Sequence, residues 1–493
     1  MKAIFISFFI TMIFLLGDLC SQTLFPANGT ENVNPDAHFV LTFETKPQLT
    51  GKGFVKIFDA KTKQLVDVLD MSIPAGPTVA DMARKKNAEY TTQPYVYISS
   101  DKTNKNTVAG TPSGLAIKDT FLYQLNIIGH FTDAFRFYPI IIHGNTATIY
   151  FHNNMLEYNK TYFITIDENV FESFRGVNAG EWTFTTKTSV PATHKLVVNN
   201  DGSGDFNTVQ GAMDFIPDFS KEKWEVFIKN GDYEELVYFR NKSNVSIIGE
   251  SRDGVVIHYA NNETFNPHPL NIKTNELNGT FPSRRAAFAA DNCTDMRFEN
   301  LTLKTDLKGQ AEGLLIMGKR NYLKNVHIIG SGDALQTNGS IYLEDCVIDG
   351  DGDSMLGRGP AFFKHCTISS SGPFMWIRNG KENHGNVFVE CVFLGRDSVN
   401  GTLLARSPKN HGSEYSYAEA VLISCRLHNV APIAWDPIAG DGKNTNFAEY
   451  NSRSLNGSPI DISKRHKYTK QISAQDAAQY SNPEFVLGWN PIQ

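Results

Sequence analysis

Leu343-Glu-Asp-Cys346 is answered 20 residues later by Phe363-Lys-His-Cys366, each an apolar residue, two polar ones and a small apolar one. The figure begins earlier, as Phe298-Glu-Asn-Leu301 and Leu323-Lys-Asn-Val326, and continues as Val389-Glu-Cys391 and Ile423-Ser-Cys425. Counted from Leu301, its closing residues are separated by 25, 20, 20, 25 and 34 positions. A period of this size marks a solenoid, whose coils cannot bury their apolar faces alone and therefore stack. A β-helix is expected over residues 195–493. Stacking would place Cys346, Cys366, Cys391 and Cys425 in one internal ladder, packed as small hydrophobes. Neighbours about 4.8 Å apart are slightly distant for a disulfide, a pairing that the sequence leaves open.

The repeat converts offsets into geometry. Asp333 follows Val326 by 7 positions and Asp353 follows Cys346 by the same 7, so the two should occupy equivalent places on adjacent coils. Their backbones would then be one strand spacing apart, roughly 5 Å. Two carboxylates at that distance cannot both ionise easily, and the pair divides into an acid and a nucleophile. Each Asp taken singly is an ordinary turn residue. The run Asp349-Gly-Asp351-Gly-Asp353 also resembles a calcium loop, but Ser354 and Pro360 stand where an EF-hand needs Gly and Glu. No metal is expected.

Around this region the chain divides in two. Residues 1–22 carry Lys2, an apolar run from Ile4 to Leu16 and a polar break, the layout of a secretory signal peptide, and the run is too short to span a bilayer. Cys20 follows Asp18-Leu19, not the small residues of a lipoprotein cleavage site, so a soluble exported protein is expected. Residues 23–188 alternate apolar and polar positions in short runs such as Phe39-Val-Leu-Thr-Phe43 and Tyr162-Phe-Ile-Thr-Ile166, as a β-sandwich does. A linker, Thr188-Ser-Val-Pro-Ala-Thr193, separates this domain from the repeats. Of 493 residues, 41% are hydrophobic and 20% charged, a globular composition. The net charge is −6 and the 46 basic residues are scattered, which excludes an electrostatic footprint for nucleic acid. An acidic polymer would have to be met by local arginines, for which Arg358, Arg378, Arg396 and Arg406 are the candidates. Outside the leader there are five cysteines with no metal-ligand spacing.

Several segments resemble the pectin methylesterases, in the family's order, over residues 195–455. Asp201-Gly-Ser-Gly-Asp-Phe206 and Phe227-Ile-Lys-Asn-Gly-Asp-Tyr233 are similar to its opening segments. Gln310-Ala311 is similar to its Gln-Ala-Val, Gly332-Asp-Ala-Leu335 to its Gln-Asp-Thr-Leu, and Asp353-Ser-Met-Leu-Gly357 to its Asp-Phe-Ile-Phe-Gly. Leu404-Ala-Arg-Ser-Pro-Lys409 stands for Leu-Gly-Arg-Pro-Trp-Lys, and Glu449-Tyr-Asn451 for a late motif. The resemblance implies an all-β chain, a right-handed parallel β-helix. It also implies de-esterification of the C6 methyl ester of galacturonate in pectin by a monomer that needs no cofactor. Asp353 would be the nucleophile, Asp333 the acid then base, Gln310 an oxyanion donor, and Arg406 the residue that orients the nucleophile and keeps it ionised. Two positions depart from the pattern: Gly332 replaces a second oxyanion glutamine, and Pro408 replaces a substrate-stacking tryptophan. Gln336, Arg358 or His384 could take over the lost polar contact, and Trp376 the stacking. Phe25-Pro-Ala-Asn-Gly29 and Trp182-Thr-Phe-Thr-Thr186 resemble the two ends of bacterial Ig-like domains of the SbsA type, while residues 80–130 fit that pattern poorly and read as an insertion.

Two other functions are compatible with a carboxylate pair on a β-helix. A retaining glycoside hydrolase also uses carboxyls about 5 Å apart, but the Asn-Thr-Asp, Asp-Asp, Gly-His-Gly and Arg-Ile-Lys segments of β-helix polygalacturonases are missing. A pectin-binding protein without turnover would tolerate Gly332 and Pro408. Released methanol, released reducing ends, or neither, tells the three apart.

Overall fold

The computed structural model describes residues 23–76, 124–129, 135–266, 283–397, 399–410, 413–436 and 444–492. The leader and most of the 80–130 insertion lie outside the described residues. No described helix is long and apolar enough to cross a membrane.

From residue 195 onward, strands pair in parallel with strands one coil ahead, on three faces. On the first face, Trp224–Ile228 pairs with Val245–Gly249, and the series continues through Ala361–Lys364, Asn386–Val389 and Glu419–Ile423 to Asn446–Tyr450. The second face runs through Val255–Tyr259, Val347–Asp349, Thr367–Ser370 and Val392–Gly395. The third runs through Val237–Arg240, Phe288–Thr294, residues 314–318 and 335–339, Met355–Gly357 and Met375–Ile377. This is the expected parallel β-helix. One apolar cluster fills it from Leu196 to Phe447, with inward residues of all three faces stacked above one another.

The ladder read from the sequence lies at the corner between the first and second faces. Leu301 pairs with Val326, and Cys346, Cys366, Cys391 and Cys425 follow, each at most 1% exposed. All four are free thiols, and the Cys391 sulfur accepts from the Cys366 backbone N–H at 3.4 Å. The corner is made by a single left-handed residue before each ladder position: Asn300, Asn325, Asp345, His365, Glu390, Ser424 and Asn451, with φ between 52° and 55°. Asn and Asp tolerate this conformation best, which explains their recurrence there. Cys293 is buried elsewhere, paired with Gly318 at the end of the third face.

Among the described residues of 23–186, two large sheets share a core that includes Phe39, Leu41, Ile57, Ile164 and Trp182. One sheet orders Thr23–Phe25, Phe39–Thr42, Thr146–Ile149 and Ile140–His143, all antiparallel. The other orders Thr30–Val33, Thr183–Thr186, Thr161–Ile166, Phe54–Asp59 and Leu65–Asp70, with one parallel pairing at its edge. This sandwich is docked against the β-helix, not tethered beside it. Ile128 and Phe135 share an apolar cluster with Leu236, Tyr238 and Leu315. Asp36 accepts from the Asn207 and Thr208 backbone N–H groups at 2.9 and 2.8 Å, at the start of the helix Val209–Phe215. Glu235 takes the next two, from Val209 and Gln210, at 2.8 and 3.0 Å. The exposed amides of that helix end are thus satisfied by one carboxyl from each domain.

Candidate active site

The site lies where the chain passes from the second face to the third. Leu314, Leu335 and Met355 pair in register, and Glu312, Asp333 and Asp353 each precede them by two residues, so three carboxyls stack on successive coils. Backbone bonds from Gly313 to Ala334 and from Ala334 to Ser354 hold the turns in line. Asp353 itself is left-handed, φ 48°, a conformation that L residues rarely take and that favours a functional explanation when found in a site.

The cations come from the third face. Met355, Met375 and Ala405 stack inward, so their successors Leu356, Trp376 and Arg406 point out, as alternation requires. Arg406 donates from Nη1 to Asp353 Oδ2 at 2.7 Å, while Asp353 Oδ1 is buried and accepts no hydrogen bond among the described residues. The guanidinium of Arg406 lies 4.5 Å from the centre of the Trp376 indole, and that of Arg378 at the same distance. Asp333 is held by Arg285, whose Nη2 donates to Oδ2 at 2.6 Å. Arg285 in turn forks onto Glu312.

Burial dominates the proton affinities. It raises Asp333 to about 7, with Glu312 and Asp353 adding repulsion and Arg285 and Arg378 opposing it. Asp353 is raised as well, by burial, against the pull of Arg406 and Arg378. The expectation that Arg406 keeps Asp353 ionised meets an opposing effect: Arg406 pulls the carboxyl down while desolvation pushes it up. Burial and the neighbouring charge of Arg358 lower Arg378.

The other residues singled out in the sequence fall at different distances from this centre. Gln310 is exposed on the preceding turn, and its Cα lies 3.8 Å from where a Cβ at Gly332 would be. Gly332 has φ 71°, so a side chain there would be strained even though space is open. Gln336 is outward on the third face, level with Leu356 and thus in the column that ends in Trp376 and Arg406. Arg358 is exposed one residue beyond Gly357, level with Arg378. His384 is drawn elsewhere: its Nδ1 meets Glu419 at 2.7 Å, and its ring contacts Tyr480 and Phe485 of the C-terminal helices. The sequence reading missed Arg285 and Glu312.

The calcium-like run dissolves into separate ion pairs. Asp349 meets His327 at 2.8 Å, Asp351 meets Arg396 at 3.3 Å and Asp353 meets Arg406. Glu234, His258 and Asp306 could approach a metal together, but His258 bridges Asp232 and Asp306. Against burial, those two hydrogen bonds raise it to about 10, so the imidazolium is itself the cation of that cluster.

The family model "Pectinesterase" matches residues 195–489. Among Arabidopsis thaliana proteins, "Probable pectinesterase/pectinesterase inhibitor 42" is 31% identical over 141 residues, covering 28% of this chain and 25% of that protein. "Pectinesterase QRT1" is 34% identical over 155 residues, 30% of this chain and 40% of that protein. The chain therefore spans well under two thirds of the length of these relatives. "Probable pectinesterase 8" is 26% identical over 328 residues, 60% of this chain and 76% of that protein. Of solved structures, the pectin methylesterase from carrot is 20% identical with a TM-score of 0.49, covering 61% of this chain and 95% of the other. With its matched segment running through every coil that builds the carboxyl stack, the chain belongs to the pectinesterase family.

Proposed function

We propose that the protein is an exported pectin methylesterase that hydrolyses the C6 methyl ester of galacturonate units, with Asp353 as nucleophile and Asp333 as acid then base. One observation carries the reading: two carboxyls stack on adjacent coils, Asp353 fixed by Arg406 and Asp333 by Arg285. The Asp353 carboxylate attacks the ester carbonyl and an oxyanion forms, to which the Gln310 amide donates. Collapse expels methoxide, which takes the proton of Asp333 and leaves as methanol. The galacturonyl group is then an anhydride on Asp353. Water, giving one proton to Asp333, attacks the acyl carbon and restores the Asp353 carboxylate and a free uronic acid, which loses its remaining proton to solvent. An Asp333 proton affinity near neutrality suits a group that must give and regain a proton within one turnover.

Substrate recognition falls to the third face. Trp376, over whose ring the Arg406 and Arg378 guanidiniums lie, would pack its indole against a sugar ring. Arg358 and Arg378 form no ion pair among the described residues and would receive the uronate carboxylates of an anionic polymer. Residues 23–188 would serve as an Ig-like accessory domain, 195–493 as the esterase domain, and 1–22 as the export signal. The assay is methanol release from highly methyl-esterified pectin, with reducing ends measured in parallel. Methanol without new reducing ends is expected; reducing ends without methanol would mean a glycoside hydrolase, and binding with neither product a lectin-like protein.

A further inference from the structure

Glu312 is fully buried, and the steps above give it no role. Its two oxygens each accept from Arg285 Nε at 3.0 Å, and Oε1 also accepts from Nη2 at 2.7 Å. That same Nη2 is the atom that reaches Asp333 at 2.6 Å. Glu263 stands 3.5 Å from Nη1. An arginine facing Asp333 alone would hold it as a carboxylate, which is the wrong form for a group that must first donate a proton. Facing Glu312 as well, its charge is already matched.

We propose that Arg285 and Glu312 form a positioning pair for the reaction: Arg285 fixes the Asp333 carboxyl on its coil, and Glu312 neutralises Arg285 so that Asp333 stays able to carry the proton. The inference rests on the esterase reading of the site. The charged groups facing Asp333 are Arg285 and Glu312 from the preceding coils, with Glu263 behind them, Asp353 on the next coil with its partner Arg406 two coils further on, and Arg378 from the third face. Removing the charge of Glu312 alone leaves Arg285 opposed on that side only by the more distant Glu263, so Asp333 must lose its proton at lower pH. Removing both charges restores the balance.

The test compares wild type, Glu312→Gln and the double variant Arg285→Gln/Glu312→Gln. In Glu312→Gln, Arg285 keeps Asp333 and Glu263 as partners, so the fold is not left with an unpaired buried charge. The first readout is the alkaline limb of kcat/KM for methanol release, where activity falls as the acid is lost. The second, independent of activity, is the titration midpoint of the Asp333 carboxyl by carbon NMR, assigned by its disappearance in Asp333→Asn. Glu312→Gln should lower both by about one unit or more, and the double variant should return them to the wild-type position or above. A midpoint unmoved in Glu312→Gln overturns the proposal whatever the activity. A midpoint that moves as expected in a protein that frees no methanol overturns the esterase reading instead.

Discussion

Replacing Arg406 with alanine removes the arginine that donates to Asp353 at 2.7 Å while leaving burial, which already raises that carboxyl, in place. An arginine within a few ångströms lowers an aspartate by about 1–3 units, so its loss should raise Asp353 by that amount. At roughly 1.4 kcal/mol per unit, the differential is about 1.5–4 kcal/mol. The Arg406 side chain is 41% exposed, so solvent screens part of the interaction and the lower half of the range is expected. Because the nucleophile must be ionised, the acid limb of methanol release should move up by one unit or somewhat more. At a pH below the new limb, each unit is a tenfold loss of rate. Arg406→Lys, which keeps the charge but loses the planar fork, should move it less. Stability supplies a second reading with a definite sign. A carboxyl whose folded value is raised stabilises below its unfolded value, and that contribution is lost as pH climbs through the folded one. Arg406→Ala should therefore lose more thermal stability, relative to wild type, at pH 8 than at pH 5. An acid limb and a pH-dependent Tm that both match wild type would refute the assignment of Arg406 to the ionisation of Asp353.

Asp333→Asn should abolish methanol release while leaving pectin binding intact, because an amide cannot exchange the proton needed in both half-reactions. Gln310→Ala should cost about 10²-fold or more in kcat, since Gly332 supplies no second amide, and kcat measured at saturating pectin checks it. Trp376→Ala should raise KM more than it lowers kcat if the indole stacks on sugar in ground and transition states alike. Glu235, pushed up to about 8 by burial from an ordinary 4.5, should make wild-type stability fall as pH rises across that interval. Glu235→Gln should flatten the slope of Tm between pH 5 and 8.

The fold was legible because each coil repeats a physical demand. A left-handed corner residue followed by a small buried one recurs at Asn325-Val326, Asp345-Cys346 and His365-Cys366, and the spacing between them is the coil length. The Asp333 and Asp353 juxtaposition followed from the same ladder, since their coils reach the next turn in equal numbers of residues. Glu312 escaped because its coil does not: it follows Leu301 by 11 positions, not 7, so the longer turn hides the alignment. Counting back from the following strand would have found it, as Leu314, Leu335 and Met355 are each preceded by a carboxyl at two positions. Arg285 lies 48 residues before Asp333, and nothing local to it signals its partner. The docking of the N-terminal sandwich was likewise hidden, because Asp36 and Phe135 meet Thr208 and Tyr238 across contacts that no periodicity encodes.

The central claim, that the Asp353 carboxylate attacks a methyl ester, is tested most directly by methanol release from highly esterified pectin with wild type and Asp353→Asn side by side. The substitution is nearly isosteric, and the amide can still accept from Arg406 while the attacking oxygen is gone. The account predicts methanol from the wild type, none above background from the variant, and equal pectin binding by both folded proteins. A variant that is folded and releases methanol at the wild-type rate would contradict it.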